Sequence, residues 1–523
     1  MSEIKSKNIY DLFVIGGGVN GVAIARDASG RGFSVALAEM NDLASATSGS
    51  STKLFHGGLR YLEYMEFKLV RDSLREREVL LRNMPHIAWP MRFILPFSNK
   101  MKFKIETPVF KFINLCMPWL KGRRPSWLVR WGLFLYDNIG YRKFLKGTTS
   151  YSLGGTPEGA PLLKSFKNAF EYSDVWVQDA RLVSLMAQDA KLRGANIMTY
   201  TKVTSVSRHE DFWSITVLGV SGTEIFRAKN LVNAGGPWVD KIITKTVKLT
   251  PKSNIRLVKG SHIVIRKLYN HDKCYFLQGR DGRIIFTIPY EDDYTLIGTT
   301  DVNHVNSDRS PEISTDEINY LCEFVSSYFL KTVSLKDIVW KYSGVRPLYD
   351  DGAKSATAAT REYVLNIDND QAPILSVYGG KITTHRKLAE EALGKLSLSN
   401  SSENWTDTAP LPGGEFDFDQ ISNIKSELMK IYPFANKNWL NNLFKRYGVN
   451  VTAVLGDAKS YKDLGDDFSG GLYQAEVEYL VENEFAKTAE DILWRRTKIG
   501  LKIDKVAEKK LKSFLKRIDN MPI

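Results

Sequence analysis

The hydrophobic pattern opens with a short apolar run over residues 8–15 that is stopped by glycine. A brief run of this kind predicts a buried parallel strand. The pattern turns helical over Val22–Ser29 and returns to an apolar strand at Ser34–Ala38. Strand, turn, helix and strand within about 30 residues is the size of a right-handed crossover. Farther on, apolar positions at Leu182, Val183, Leu185, Met186 and Ala190 predict a helix over Asp179–Arg193. Strand-like runs follow at Asn196–Thr201, Ser214–Val220 and Ala228–Val232. Residues 256–300 alternate strands with turns, which predicts an antiparallel sheet, and Ser314–Phe329 reads as a helix. From about Thr406 helix follows helix, after a polar Ser/Asn-rich stretch at Leu398–Pro412 that marks a domain boundary.

A length of 523 residues exceeds one ordinary core, so two or three domains are expected. With 43% hydrophobic and 25% charged residues, the composition excludes a disordered or collagenous chain. The three cysteines, Cys116, Cys274 and Cys322, form no CxxC pair, which excludes a zinc ribbon and a dithiol motif and predicts a reducing compartment. No window approaches the ~20 apolar residues of a membrane span, and the N-terminus lacks the pattern of a signal peptide. The expectation is a protein kept inside the cell, soluble or on a membrane surface.

The net charge of +13 is local. Residues 97–147 hold 11 Lys/Arg against Glu106 and Asp137, and Leu501–Arg517 holds 7 against Asp504 and Glu508, so the remainder is close to neutral.

Gly16-x-Gly18-x-x-Gly21 lies between the first strand and its helix, with Glu39 at the end of the second strand. In this setting the first glycine permits a tight turn and the second lets the backbone approach a pyrophosphate. The third permits close helix–strand packing, and the helix N-terminus offers amides and a positive dipole to phosphate. Glu39 is placed to accept from a ribose 2′-hydroxyl. The motif does not separate NAD from FAD. The small, hydroxyl-rich segment Ala44–Tyr61, with Thr47 and Ser48 among its hydroxyls, suits close passage along a flat cofactor and its phosphates.

Taken with FVIGGGVNGVAIARDASGRG, LASATSGSSTKLFHGGLRYLE, FEYSDVWVQDARLV, LVNAGGPWV, LVKGSHIV, IGTTDV, WKYSGVRPL, TREYVL, YGGKITTHRKLAE and DILWRRTKIGL, this pattern resembles the FAD-dependent, quinone-linked glycerol-3-phosphate dehydrogenases. These sit within the D-amino-acid-oxidase-like flavoproteins, and the matching stretches run in order from residue 13 to 501. The resemblance implies an α/β architecture: a discontinuous Rossmann-like FAD-binding domain (1–95, 165–250, 355–398), a substrate- and membrane-facing domain with an antiparallel sheet (96–164, 251–354), and a C-terminal all-helical domain (405–523). It implies oxidation of sn-glycerol 3-phosphate to dihydroxyacetone phosphate by hydride transfer from C2 to flavin N5, with electrons passed to a membrane quinone.

On the same basis Arg60, Tyr61, Arg346, Arg361 and Lys381 would meet the substrate, its phosphate suiting Arg forks and a Lys point charge. His262 is the candidate proton acceptor, its ordinary pKa near ~6.5 suiting base chemistry around neutrality. Arg346 or Lys381 lowering the hydroxyl's pKa is the alternative. Gly16, Gly18, Gly21, Glu39, Thr47, Ser48, Val203, Gly235, Gly380 and Thr383 would hold FAD. The seven histidines show no ligand spacing, so no metal site is expected. Neither a P-loop ending nor a Gly-x-Ser-x-Gly elbow occurs.

Residues 97–147 add eleven aromatics to their charge, Phe110, Phe112, Trp119, Trp127, Trp131 and Phe134 among them. Rings flanked by cations such as Lys121, Arg123 and Arg124 fit an anionic lipid surface. An ordinary core with solvated charges, and a nucleic-acid patch, are the competing readings. The basic C-terminal segment has Leu501, Val506, Leu511, Phe514 and Leu515 as apolar positions; it caps a bundle or meets lipid or a second copy. The expected whole is a flavoenzyme peripheral on the cytoplasmic face of the cell membrane, with no nucleic acid and with a homodimer left open. The alternatives are an oxygen-using glycerol-3-phosphate oxidase and, in another class, a non-catalytic FAD-containing RNA or membrane adaptor.

Overall fold

The computed structural model describes residues 9–97, 107–120, 123–250, 254–279, 282–350, 362–398 and 404–519. The first apolar run forms the strand Tyr10–Ile15, paired in parallel with Val35–Ala38 on one side and with Gly222–Asn233 on the other. Ile374–Tyr378 and Asn196–Met198 extend this sheet outward, and Val364–Asp368 closes one edge antiparallel. Because the central strands are covered on both faces, they read as continuous apolar runs rather than alternating ones. The helices Val19–Gly30, Asp179–Leu192 and His385–Lys395 pack together on one face in a single core. The other face packs Phe13 and Ala36 against Trp213, Ile215 and Phe226 of an antiparallel meander.

The second sheet is antiparallel as expected, with one parallel pairing, Cys274–Gln278 against Ala88–Phe97. The boundaries expected between the first two domains differ from the strand pairing. Ala88–Phe97 crosses the expected break at 95/96 and pairs along its whole length with Asn168–Val177, and Leu54–Phe55 joins the same sheet. Ten consecutive pairings between two ten-residue strands hold both in the second sheet, although chain position had assigned most of them to the first domain.

The C-terminal helices, among them Ile421–Ile431, Lys437–Tyr447, Gln474–Glu484 and Lys505–Asp519, enclose a core of their own. Leu511, Phe514 and Leu515 of the last helix are buried there, so this helix caps the bundle. Val506 faces away from that core, 77% exposed, and Leu501 lies before the helix with its carbonyl accepting from the Tyr294 hydroxyl at 2.9 Å. The domain docks through buried charges. Arg181 pairs with Glu484, Arg496 with Asp42 (2.8 Å), and Arg495 with Asp42 (2.5 Å) and Asp491 (2.5 Å). The Tyr200 hydroxyl donates to Asp491 at 2.7 Å. Removing one member of a buried pair of this kind costs about 3–5 kcal/mol, because the other is left as an uncompensated charge.

Among the described residues no helix is long and apolar enough to cross a membrane.

Candidate active site

Strand Tyr10–Ile15 runs into its helix through the predicted glycines, and the geometry leaves no room for side chains at two of them. A Cβ on Gly16 would stand 2.6 Å from the Ala234 carbonyl oxygen, and one on Gly21 would stand 2.1 Å from the Gly16 carbonyl oxygen. Gly16 also has φ +112°, a conformation L side chains rarely adopt. The Gly17 amide donates to Glu39 Oε2 at 2.7 Å and the Asn41 amide donates to Oε1 at 2.9 Å. Burial raises the Glu39 pKa above the ordinary carboxylate value, and these amides oppose that rise. The Ser48 hydroxyl accepts from the Val19 amide at 2.9 Å, across the helix N-terminus.

Two cavities meet over this turn. One, of 440 Å³, is lined by Gly16, Gly18, Glu39, Val203 and Gly235. The other, of 330 Å³, is lined by Arg60, Tyr61, His262, Arg346, Gly380, Lys381 and Thr383. They share Gly18, Thr47, Ser48, Ala234 and Gly236 as walls, so they form one bent groove. The structure thus gathers the sequence-predicted positions along a single channel. Gly21 stays behind it as a packing residue, and Arg361 lies outside the described residues.

In the cationic chamber Lys381 Nζ sits 4.0 Å above the Tyr61 ring. Arg346 ion-pairs with Asp301 and donates to Thr299 Oγ1 at 2.9 Å. Arg60 lies 5.9 Å from the Tyr64 ring, its Nη2 donating to the Tyr64 hydroxyl at 3.4 Å. His262 is buried, with Nε2 3.0 Å from Thr52 Oγ1 and Nδ1 without a hydrogen-bond partner among the described residues. Burial, then the charges of Arg346 and Lys53, holds its pKa well below 6.5, so the imidazole is neutral, and its basicity is held down while those cations are uncompensated. Lys53 itself is buried against Asp179 at 2.8 Å.

Sequence reasoning passed over Thr52, Thr299, Asp301 and the Lys53–Asp179 pair as individual residues. Each lies inside a stretch that carried the family resemblance, so the signal was present at motif level but not residue by residue.

The electrostatics of the aromatic segment need one correction. Arg124, grouped by sequence with the lipid-facing cations, turns inward, ion-pairs with Glu63 and donates to Gln278 Oε1 at 2.9 Å. Arg123 is exposed, while Lys121 and residues 98–106 lie outside the described residues.

The groove accommodates an elongated dinucleotide: its glycine turn leaves the backbone bare for a pyrophosphate, its Glu39 end suits a ribose, and its far end opens among cations. A channel of this shape on a parallel sheet, entering a basic chamber built on an antiparallel one, defines a dinucleotide-dependent oxidoreductase. Comparison with known proteins gives the family. The chain belongs to the FAD dependent oxidoreductases, whose profile matches residues 11–386; that of the C-terminal domain of alpha-glycerophosphate oxidase matches residues 404–517. FAD is its cofactor, and Gly16, Gly18, Glu39, Thr47, Ser48, Val203, Gly235, Gly380 and Thr383 border the groove that fits it.

The chain is 45% identical over 517 residues to D-erythritol 1-phosphate dehydrogenase of Brucella abortus, covering 98% of each. It is 43% identical over 511 residues to aerobic glycerol-3-phosphate dehydrogenase of Escherichia coli, covering 97% of each. The fold matches the glycerol-3-phosphate dehydrogenase of Bacillus halodurans solved with FAD, at TM-score 0.69 and 24% identity over 98% of this chain and 95% of that one.

Proposed function

We propose that this flavoenzyme oxidises sn-glycerol 3-phosphate to dihydroxyacetone phosphate and passes the electrons to a membrane quinone. The observation that carries the reading is the convergence of Arg60, Arg346 and Lys381 with His262 in the chamber at the end of the groove. A phosphate dianion needs fixed cations, and a secondary alcohol becomes a ketone by losing a hydride and a proton. When bound, FAD supplies the hydride acceptor. Arg346, already oriented by Asp301 and Thr299, and Lys381, seated on Tyr61, hold the phosphate. Neutral His262 takes the hydroxyl proton, with Thr52 fixing the ring through Nε2. A dianion in the chamber offsets the nearby cations and raises the His262 pKa toward the working range. The similarity to the Escherichia coli enzyme, aerobic by name, supports the same substrate and a respiratory acceptor.

The test is anaerobic mixing with glycerol 3-phosphate, which is expected to bleach the flavin absorbance. An intact flavin spectrum that does not bleach rejects the reading. A second reading takes a four-carbon polyol phosphate as the natural substrate, favoured by the 45% identity to D-erythritol 1-phosphate dehydrogenase. Reduction rates across a panel of three- and four-carbon polyol phosphates separate the two. Rapid oxygen uptake without quinone would assign the acceptor to oxygen instead.

The enzyme is peripheral, on the cytoplasmic face of the membrane, and meets lipid through the helices Pro108–Cys116 and Ser126–Asn138. Supporting this, Leu115 (81% exposed), Trp119 (71%) and Trp131 (58%) project into solvent with Phe112, Trp127, Phe134 and Tyr141. An exposed apolar patch flanked by Lys111, Arg123 and Arg130 is what an interfacial element presents. The exposure of these rings argues against the reading in which the whole segment is an ordinary core.

A further inference from the structure

The Asp491–Arg496 turn belongs to the C-terminal domain, yet its Trp494 closes a line of rings that ends at His262. Trp494 stacks on Trp340 with centroids 4.7 Å apart and planes at 20°. Trp340 lies 4.9 Å from Tyr342, and Tyr342 stacks on His262 at 4.8 Å and 14°. Strand register explains the line. His262 stands directly opposite Tyr342 and Val264 opposite Trp340, so both aromatics lie on the face that carries the imidazole.

The Cδ2 and Nε2 edges of the imidazole are also fixed. A Cβ on Gly298, its neighbour on the other strand, would stand 2.2 Å from His262 Cδ2, so only glycine admits the ring there. Thr52 holds Nε2 at 3.0 Å, and the Tyr342 hydroxyl donates to the Ser51 carbonyl at 2.9 Å. Lys53 Nζ lies 5.1 Å from the Tyr342 ring centroid. Within the substrate domain the stack is held by these contacts, while the outer face of Trp340 turns toward the C-terminal domain. Trp494 stacks on that face, with Lys498 Nζ 5.6 Å from the Trp340 ring centroid, beside an open cleft of 1210 Å³ that Trp340, Tyr342, Trp494 and Lys498 all border.

We propose that Trp494 is a positioning residue for the oxidation: through Trp340 and Tyr342 it holds the His262 ring in place and keeps water from it. The proposal rests on the reading of His262 as proton acceptor. The charged groups facing His262 are Arg346 on the Ile338–Tyr349 strand and Lys53, the latter balanced by Asp179; Thr52 and Tyr342 are neutral neighbours. Loss of Trp494 leaves these charges in place and admits water, which relieves the burial that depresses the imidazole pKa.

The experiment uses the full-length holoenzyme with Trp494→Ala and Trp494→Phe. His262 is followed by NMR of histidine labelled at the ring, and anaerobic flavin reduction by glycerol 3-phosphate is followed against pH. Trp494→Ala is expected to raise the His262 pKa, lower the limiting reduction rate about tenfold on the acid side, where one pKa unit is worth that factor, and leave KM within about twofold. Trp494→Phe restores most of both. An unmoved His262 resonance and pH profile in Trp494→Ala, or a Phe variant no better than Ala, overturns the proposal. His262→Asn separates the two levels. If it leaves reduction and its pH dependence unchanged, the proton-acceptor reading fails, while the NMR titration still decides whether Trp494 governs the ring. Retention of the flavin spectrum and of the unfolding midpoint distinguishes these effects from misfolding.

Discussion

The groove and the helical pair at Pro108–Cys116 and Ser126–Asn138 treat the same kinds of side chain in opposite ways. In the groove region charges have partners, Arg346 with the half-buried Asp301 and Lys53 with the buried Asp179, and rings are stacked, His262 on Tyr342. On the helical pair and the Pro118–Leu120 turn the rings of Trp119, Trp127 and Trp131 stand in solvent, with Lys111 and Arg130 also exposed. The difference separates residues the fold requires from residues it merely carries. Where a position is buried and paired, its identity is dictated by its neighbours. Where it is large, apolar and exposed, the folded chain gains nothing from it, and its chemistry answers to another surface. The two regions are nonetheless tied together. The Tyr136 hydroxyl, on the second helix, accepts from the Gly57 amide and donates to Asp174, both at 2.8 Å, and Arg124 pairs with Glu63 beside the Arg60 turn.

The contrast is broken most severely at the paired chamber. Arg346→Leu removes the phosphate fork and leaves the half-buried Asp301 without its ion-pair partner, so kcat/KM is expected to fall by about a hundredfold with FAD retained. Arg346→Lys is not expected to restore it, because a point charge does not reproduce the fork. A loss under tenfold would show that the chamber's pairing is incidental. Next comes Gly21→Val, whose Cβ meets the Gly16 carbonyl oxygen at 2.1 Å. Overpacking of about 3 kcal/mol predicts a hundredfold weaker hold on FAD, read from flavin absorbance and from titration of the apoprotein.

A third probe is pH. His86 is buried beside Gly414, Gly448 and Phe416 with neither ring nitrogen hydrogen-bonded among the described residues, and burial followed by the Arg181 charge lowers its pKa to about 3. Between that value and the unfolded pKa near ~6.5 the unfolded state binds the extra proton. This histidine's contribution to stability is therefore absent below the lower value and grows with rising pH by up to ~1.4 kcal/mol per unit, complete above the upper one. His86→Leu is expected to flatten that slope, measured by urea unfolding at pH 5 and pH 7. The smallest effect on the fold, and the sharpest on location, is expected from Trp119, Trp127 and Trp131 all changed to Ser. Surface changes of this kind alter stability by less than about 0.5 kcal/mol each, and activity with a soluble dye persists while binding to anionic vesicles is lost. Unchanged vesicle binding removes the lipid assignment.

The cofactor end of the site was legible because its signals are local. Strand, Gly16–Gly21 turn, helix and Glu39 lie within one crossover, and the period changes where the structure changes. The chamber was legible only as a set of motifs. Thr52 reaches His262 across 210 positions, and Arg346 meets Asp301 because the strand Ile255–Arg266 pairs with the segments that carry both, which spacing alone does not reveal. The strand Ala88–Phe97 runs across the expected break at 95/96 for the same reason, since its partner lies at Asn168–Val177. Arg124 and Val506 mark the other limit. A basic or apolar letter in an amphipathic stretch does not reveal which way a side chain turns when the helix meets its neighbours.

Asp42 lies three positions beyond Glu39, and its buried counter-charges, Arg495 and Arg496, stand more than 450 residues away. During translation the first crossover emerges early, and the acid at its edge lacks its partners until the ribosome has passed Arg496. The charged contact that anchors the C-terminal domain to the edge of the first crossover is therefore among the last contacts the growing chain can make.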